Sequence, residues 1–409
     1  MALTTNISYH SFANGIRAVA MSCAGGVDYF GVCVNAGSRD EDQFSHGLAH
    51  FVEHTLFKGT VKRRPWHIIN RMERIGGELN AYTTKEETVV YTIAPTGNLA
   101  RAAELVADLI ANSTFPEREL IKERDVVEDE INSYLDTPSE AIYDDFEELI
   151  FRGNSLAHNI LGDSESVSRL SGDDCRRWIT GMFVPEDMTL FYVGPKSAKS
   201  VFSTLGKYFS ELNHKSSGRQ RKQPEALKPF HTIKELSLHQ THTVAGVRIP
   251  GLYDSQSLIF AFLANIIGGP GMNSLLNVEM RERRGLVYTV EASTVSYTDC
   301  GLFTVYFGCD HSSLKRCNEV MQRVFATISS NALSLRKIEE AKRQYLGQLA
   351  VSGENREQVS LSAGRSMLYR GKVVTRAEQV ERINSLTPDM IAEAATMLAP
   401  ENFSILSFT

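Results

Sequence analysis

The sequence predicts an α+β protein of two homologous halves, each a mainly antiparallel sheet with helices packed on one face. Three observations carry this. At 409 residues with 42% hydrophobic content, the chain exceeds what one core usually holds. An alternating strand followed by an amphipathic helix recurs in both halves. A polar, basic, proline-punctuated stretch, His214 to Pro229, separates them as linkers do. The expected organisation is therefore a first domain over 1–213, a linker over 214–229 and a second domain over 230–409.

In chain order, Gly31-Val32-Cys33-Val34 reads as a buried strand ahead of a helix around His50. In that helix Leu48, Ala49, Phe51, Val52, Leu56 and Phe57 interleave with polar residues, and Gly59 offers a stop. Thr88 to Ile93 alternates as a strand and Leu99 to Ala111 is an amphipathic helix. Pro116 to Leu135 reads as a long acidic helix. Past the linker, Ala245-Gly246-Val247-Arg248-Ile249 precedes an apolar helix over Leu258 to Ile267, and Leu302 to Phe307 precedes a helix from Ser312. The second half repeats the first in outline.

A formal net charge of −6 leaves no electrostatic footprint for nucleic acid. The only basic run, Lys215 to Lys222, reads as solvated linker. No apolar run reaches membrane-spanning length, and Met1 to Asn14 has neither the charged region nor the apolar core of a secretory signal, so no membrane partner is expected and the expected location is cytoplasmic. Six cysteines, Cys23, Cys33, Cys175, Cys300, Cys309 and Cys317, lack paired spacing, which fits reduced, mostly buried thiols.

The chemistry concentrates in His50-Phe51-Val52-Glu53-His54. Residues four apart on a helix are neighbours, so His50 and His54 can share one metal ion, with Glu53 pointing into the same space. A catalytic zinc takes three protein ligands and lowers the pKa of water to near 7, and a nearby carboxylate can then accept the proton. Glu53 is the candidate base. On these five residues alone, two ordinary core histidines and a solvated acid remain an equal reading. A third ligand has several candidates on the long helix: Glu117, Glu119, Glu123, Asp125, Glu128, Asp129 and Glu130. A glycine-rich turn at Gly268-Gly269-Pro270-Gly271 lacks the ending of a phosphate-binding loop.

At this point the chain resembles the inverzincin metallopeptidases, the family of pitrilysin, insulin-degrading enzyme and mitochondrial processing peptidase. The resemblance rests on Gly47-Leu48-Ala49-His50-Phe51-Val52-Glu53-His54-Thr55-Leu56-Phe57-Lys58-Gly59-Thr60, preceded by Ala36-Gly37-Ser38-Arg39-Asp40-Glu41 and followed by Leu79-Asn80-Ala81-Tyr82-Thr83. It implies two related α/β rolls, one zinc ion per chain and zinc metalloendopeptidase activity. Its third zinc ligand falls on Glu130, and a carboxylate that orients the ligands falls on Glu123, two turns earlier on the same face. Asn80 and Ala81 fall on an edge strand to which an extended peptide adds. Arg281 and Tyr288 fall on an arginine–tyrosine pair that binds substrate backbone and stabilises the tetrahedral intermediate. Only the first half carries metal ligands.

Family members of this length pair into a clam-like chamber, so the resemblance implies a homodimer, a heterodimer with a paralogue being the alternative. The expected substrate is a peptide or unfolded segment small enough to be enclosed. The rival expectation is a non-catalytic or partner-dependent processing-peptidase-like subunit acting as a scaffold. Thr55 departs from the larger apolar residue common after the second histidine, a change expected to reshape the pocket beside the metal while leaving ligation unaffected. His239 and His242 lie in a strand-like polar stretch, and His46, His67 and His158 have no partner spacing of their own; all five read as surface or core polar residues.

Overall fold

The computed structural model describes residues 6–215 and 218–409. Ser216 and Ser217 of the expected linker, and residues 1–5 of the N-terminal segment read for targeting signals, lie outside the described residues. The chain forms two compact units. The first gathers residues up to Asn132, His158–Arg221 and Val351–Thr375; the second gathers Ser133–Ala157, Lys222–Ala350 and Arg376–Thr409.

Unit 1 is built on a six-stranded sheet of β1 (Asn6–Ser11), β2 (Arg17–Ser22), β3 (Val27–Val34), β4 (Glu78–Thr83), β5 (Thr88–Pro95) and β6 (Met188–Gly194), in the order β1-β2-β6-β3-β5-β4. All pairs are antiparallel except β2 with β6. Unit 2 has β7 (His231–Lys234), β8 (Thr241–Ile249), β9 (Val287–Ser296), β10 (Gly301–Cys309) and β11 (Ser404–Phe408), in the order β7-β11-β8-β10-β9. There too one pair, β7 with β11, is parallel and the rest antiparallel. Aligning β2-β6-β3-β5-β4 with β7-β11-β8-β10-β9 reproduces every pairing direction, so the duplication read from the sequence extends to the hydrogen-bond ladders.

The expected helical layer covers one face of each sheet. In unit 1 the helices Leu48–Thr55, Leu99–Asn112 and Ala198–Phe209 bury Leu48, Phe51, Val52, Leu105, Val106, Leu109, Val201 and Leu205 in one core with Phe30, Val32 and Leu190 of the sheet. In unit 2 the helices Ser257–Gly268 and Leu314–Ser330 do the same over Val247, Phe303 and Val305.

The opposite faces are where the structure departs from two continuous halves. In unit 1 that face is covered by Arg356–Arg370, a helix from the end of the chain that buries Leu361, Met367 and Leu368 against Val19, Cys33 and Phe191. In unit 2 it is covered by Pro138–Ile150, which buries Ile142, Phe146 and Ile150 against Val244, Leu302 and Leu406. Each half of the sequence has thus lent one helix to the sheet of the other. The physical reason is that β-strands apolar on both sides need cover on both sides. Both faces of β3 are buried through Phe30, Val32 and Cys33.

The basic run before the second domain is not solvated throughout. Arg219 Nη2 donates to Asp187 Oδ2 at 3.1 Å, and Arg221 forms a two-pronged pair with Asp40 at 2.9 and 2.7 Å. Unit 1 therefore holds the chain as far as Arg221. All six cysteines carry free thiols, five of them buried. Among the described residues no helix is long and apolar enough to cross a membrane.

Candidate metal centre

The metal-binding motif lies on the helix Leu48–Thr55, which begins where the chain must turn sharply. Gly47 has φ +87°, and a Cβ there would meet the Leu161 carbonyl oxygen at 2.5 Å, so both conformation and space demand glycine. The first free amides of the helix are satisfied by a buried carboxylate: Glu41 accepts from Gly47 N at 2.9 Å and Ala49 N at 2.7 Å. Leu48, Phe51, Val52 and Thr55 fix the other side of the helix in the core. His50, Glu53 and His54 are left along the opposite edge.

The long helix Glu117–Leu135 buries Leu120, Val127 and Ile131 and brings Glu123 and Glu130 to the two histidines. Glu130 Oε2 lies 3.8 Å from His50 Nε2 and 3.4 Å from His54 Nε2. The two imidazole rings sit 4.5 Å apart between centroids. One ligand atom from each of His50, His54 and Glu130 falls within 4.8 Å of the others. Ligands about 2.0–2.1 Å from a tetrahedral zinc stand roughly 3.3 Å from one another, so this donor set needs only small side-chain shifts to share an ion. Two imidazole nitrogens and one carboxylate oxygen are also a zinc hydrolase set. Among the other candidates on the helix, Glu117 pairs with Arg124 at 2.9 Å and Glu119 with Lys122 at 2.9 Å.

Glu123 is held differently. Its Oε2 lies 3.3 Å from His54 Nδ1 and its Oε1 lies 2.5 Å from Lys58 Nζ. With Nδ1 engaged, Nε2 of His54 is the nitrogen left facing Glu130. Burial would raise the Glu123 pKa, but the hydrogen bonds from His54 and Lys58 outweigh it and hold the carboxyl below its ordinary range. Lys58 lies beyond the end of the helix at Thr55, four residues past His54, a position that nothing in the sequence pattern marks as a partner of Glu123.

The remaining titrations divide by environment. Burial, reinforced by the His54 charge, pushes His50 down to about 3, so it stays neutral and able to ligate. Among the described residues its buried Nδ1 has no hydrogen-bond partner. Burial pulls His54 the same way, but the Glu123 hydrogen bond and the Glu53 and Glu130 charges outweigh it and raise its pKa. Burial raises the Glu53 pKa, an effect eased by the adjacent Thr83 side chain and by His54 and strengthened by Glu130. A carboxylate with raised proton affinity beside a metal site is suited to accept a proton and give it up again.

Glu53 and His54 open onto a cavity of about 540 Å³ whose walls include Phe57, Ile69, Leu79, Asn80 and Ala81. Asn80 and Ala81 belong to β4, an edge strand that pairs with β5 and, among the described residues, with no other strand, so its outer edge is available to a further strand. Thr55 is not in that wall. It is fully buried, donates to Phe51 O at 2.6 Å and faces the core beside Cys175, so the expectation that it reshapes the metal pocket is corrected. His46 and His158, which showed no partner spacing, stack with ring centroids 3.5 Å apart.

Arg281 and Tyr288 lie in unit 2. Arg281 sits in a π-helical turn, Asn277–Glu282, and its guanidinium carbon stands 5.7 Å from the centre of the Tyr288 ring. Tyr288 is 84% exposed and Arg281 is exposed beside it, so the pair is free to meet a ligand.

The chain is similar in sequence and in fold to proteins described as peptidases. The sequence profile described as Insulinase (Peptidase family M16) matches residues 27–164, and that described as Peptidase M16 inactive domain matches residues 169–345. An uncharacterized zinc protease of Bacillus subtilis is 30% identical over 380 residues, covering 92% of this chain and 91% of that protein. An uncharacterized zinc protease of Streptomyces coelicolor is 31% identical over 379 residues, covering 90% and 81%. The fold matches a Pseudomonas fluorescens structure described as a peptidase M16 inactive domain, with TM-score 0.91 at 18% identity over 98% of this chain and 97% of that one. It also matches a protease from Helicobacter pylori, with TM-score 0.91 at 16% identity over 99% of each.

Proposed function

Since the chain belongs to the insulinase family, peptidase family M16, we propose that it is a zinc-dependent endopeptidase that cuts peptides or unfolded segments. The observation that carries this reading is the convergence of His50, His54 and Glu130 from two helices, with Glu53 on the same helix edge. His50, His54 and Glu130 would hold one zinc ion per chain. Zinc bound there supplies a Lewis acid that acidifies water and polarises a peptide carbonyl.

The chain's own residues do the rest. Glu53 takes a proton as the water oxygen attacks the carbonyl carbon. When the C–N bond breaks, Glu53 returns that proton to the leaving nitrogen, and the second water proton passes from the new carboxylic acid to the amine, leaving a carboxylate and an ammonium. The outer edge of β4 pairs with the substrate backbone as an added strand, which places a scissile bond in the cavity shared by Glu53, His54 and Ala81. Pairing through the main chain explains tolerance of many sequences. Arg281 and Tyr288 bind substrate backbone and offset charge developing on the carbonyl oxygen; their exposure supports this role.

On the same reading the active molecule is a homodimeric chamber in which the metal centre of one subunit works with Arg281 and Tyr288 of the other. Both sets occur in one chain, so two identical copies suffice. The test is cleavage of a quenched, unstructured peptide by the purified protein, with and without a zinc chelator. Cleavage lost on chelation and restored by zinc supports the reading. Cleavage indifferent to chelation, or no cleavage by the zinc-loaded protein, contradicts it.

A further inference from the structure

The tip of the β4–β5 hairpin is a turn over Thr84 to Glu87 in which Lys85, Glu86 and Glu87 are only 5, 5 and 0% exposed. Turns ordinarily ride on the surface, and buried charges persist only when paired. Distant stretches of sequence supply the pairing: Lys85 Nζ donates to the His158 carbonyl. Arg39 Nη1 donates to Glu86 Oε1 at 2.6 Å, and Arg365 Nε lies 2.6 Å from Glu87 Oε1. Arg221 adds a contact to the Glu86 carbonyl and also grips the segment beneath the turn through Asp40.

That segment is Ser38–Glu41. Ser38 N donates to Thr84 O at 3.2 Å and Arg39 N to Lys85 O at 2.8 Å. A Cβ on Gly37 would meet Thr84 O at 2.2 Å, so the hairpin tip lies directly on this backbone. Asp40, from the same segment, takes Arg221 Nε and Nη2 at 2.9 and 2.7 Å. Arg221 Nη2 also donates to Glu86 O at 3.0 Å and Nη1 to Asn35 Oδ1 at 2.9 Å. The next residue, Glu41, anchors the first amides of the metal-binding helix through Gly47 and Ala49. Hairpin, bridge and metal helix are thus joined in one chain of buried polar contacts.

We infer that Arg221 is a positioning residue: by tying Asp40 to the Glu86 carbonyl, it fixes the β4–β5 hairpin on the Ser38–Glu41 bridge and sets where the open edge of β4 lies beside the metal helix. The planar guanidinium reaches acceptors on Asp40, Glu86 and Asn35 together, which a lysine ammonium at the end of a flexible stem cannot do. Asp40 and Glu86 are both buried, so the contact is shielded from water. The purpose given to the edge strand rests on the peptidase reading above; the clamp itself does not.

The test compares zinc-loaded wild-type protein with Arg221→Lys and Arg221→Met, first by site-resolved amide hydrogen exchange. Exchange in β4 and β5 is expected to accelerate about tenfold in both variants while β2, β6 and the helix Leu99–Asn112 keep their protection. For the quenched peptide, KM is expected to rise about tenfold with kcat within about threefold, since the base and metal ligands are untouched. The lysine variant guards against a methionine variant that does not fold. Unchanged exchange in the hairpin, or acceleration spread evenly through unit 1, overturns the inference. If the wild-type protein cuts no peptide, the peptidase reading fails, and the exchange comparison still decides whether Arg221 fixes the hairpin.

Discussion

Glu123 Oε2 lies 3.3 Å from His54 Nδ1, so a carboxylate that is not itself within the ligand set determines which face of the second histidine is free. The same carboxylate is anchored from the other side by Lys58 at 2.5 Å.

Replacing Glu123 by alanine leaves His54 free to rotate and to change tautomer. Zinc affinity is expected to fall about 10–100-fold, with the zinc-loaded fold intact. Competition against a fluorescent chelator measures this. An affinity equal to wild type would assign Glu123 no part in orienting His54.

The metal-free protein is expected to lose stability on acidification through His50. Its pKa in the folded chain is held at about 3, below the ordinary 6.5, so the unfolded chain binds the extra proton first as the pH falls. The contribution is therefore present above pH about 6.5 and lost progressively toward pH about 3. Thermal unfolding of metal-free protein across that window checks the sign. His50→Gln should flatten the decline relative to wild type, and an identical slope in the two proteins would refute the assignment.

Thr55→Leu tests which way that side chain points. Since Thr55 is fully buried on the core side, the larger leucine should overpack and cost about 1–3 kcal/mol of stability. KM for peptide should stay unchanged. A changed cleavage preference with no loss of stability would place position 55 in the substrate pocket instead.

The composite dimer predicts complementation. A mixture of Glu53→Gln and Arg281→Ala chains, each inactive alone, should recover about a quarter of wild-type activity when mixed equally, because half of the random pairs carry one intact site of two. No recovery despite demonstrated subunit exchange would place both sets of residues within one subunit's own site.

What the sequence made legible was what local periodicity encodes. Histidines four apart on an apolar-backed helix place two ligands on one edge, and that edge is where His50 and His54 stand. The strand–helix repeat at Val90 and Leu302 likewise marks the two equivalent ladders. The exchange of the helices Pro138–Ile150 and Arg356–Arg370 was not legible, because an apolar stripe says that a helix must be covered and not which sheet covers it. Arg221 read as linker for a related reason: its partners Asp40 and Glu86 are distant in sequence, and a charge destined for burial looks like any other until its acceptors are in place. Thr55 was legible too, since it continues the buried face of Leu48, Phe51 and Val52 at helical spacing, away from His50 and His54.

The proposed zinc centre is held by His50, His54 and Glu130, with Glu53 as its base. Peptide cleavage and bound zinc, measured together for wild type and Glu53→Gln, test it most directly. Zinc is expected on both proteins at about one ion per chain, as one three-ligand site holds one ion, with cleavage by the wild type only. Equal cleavage by both proteins, or zinc lost from Glu53→Gln in step with activity, would contradict it.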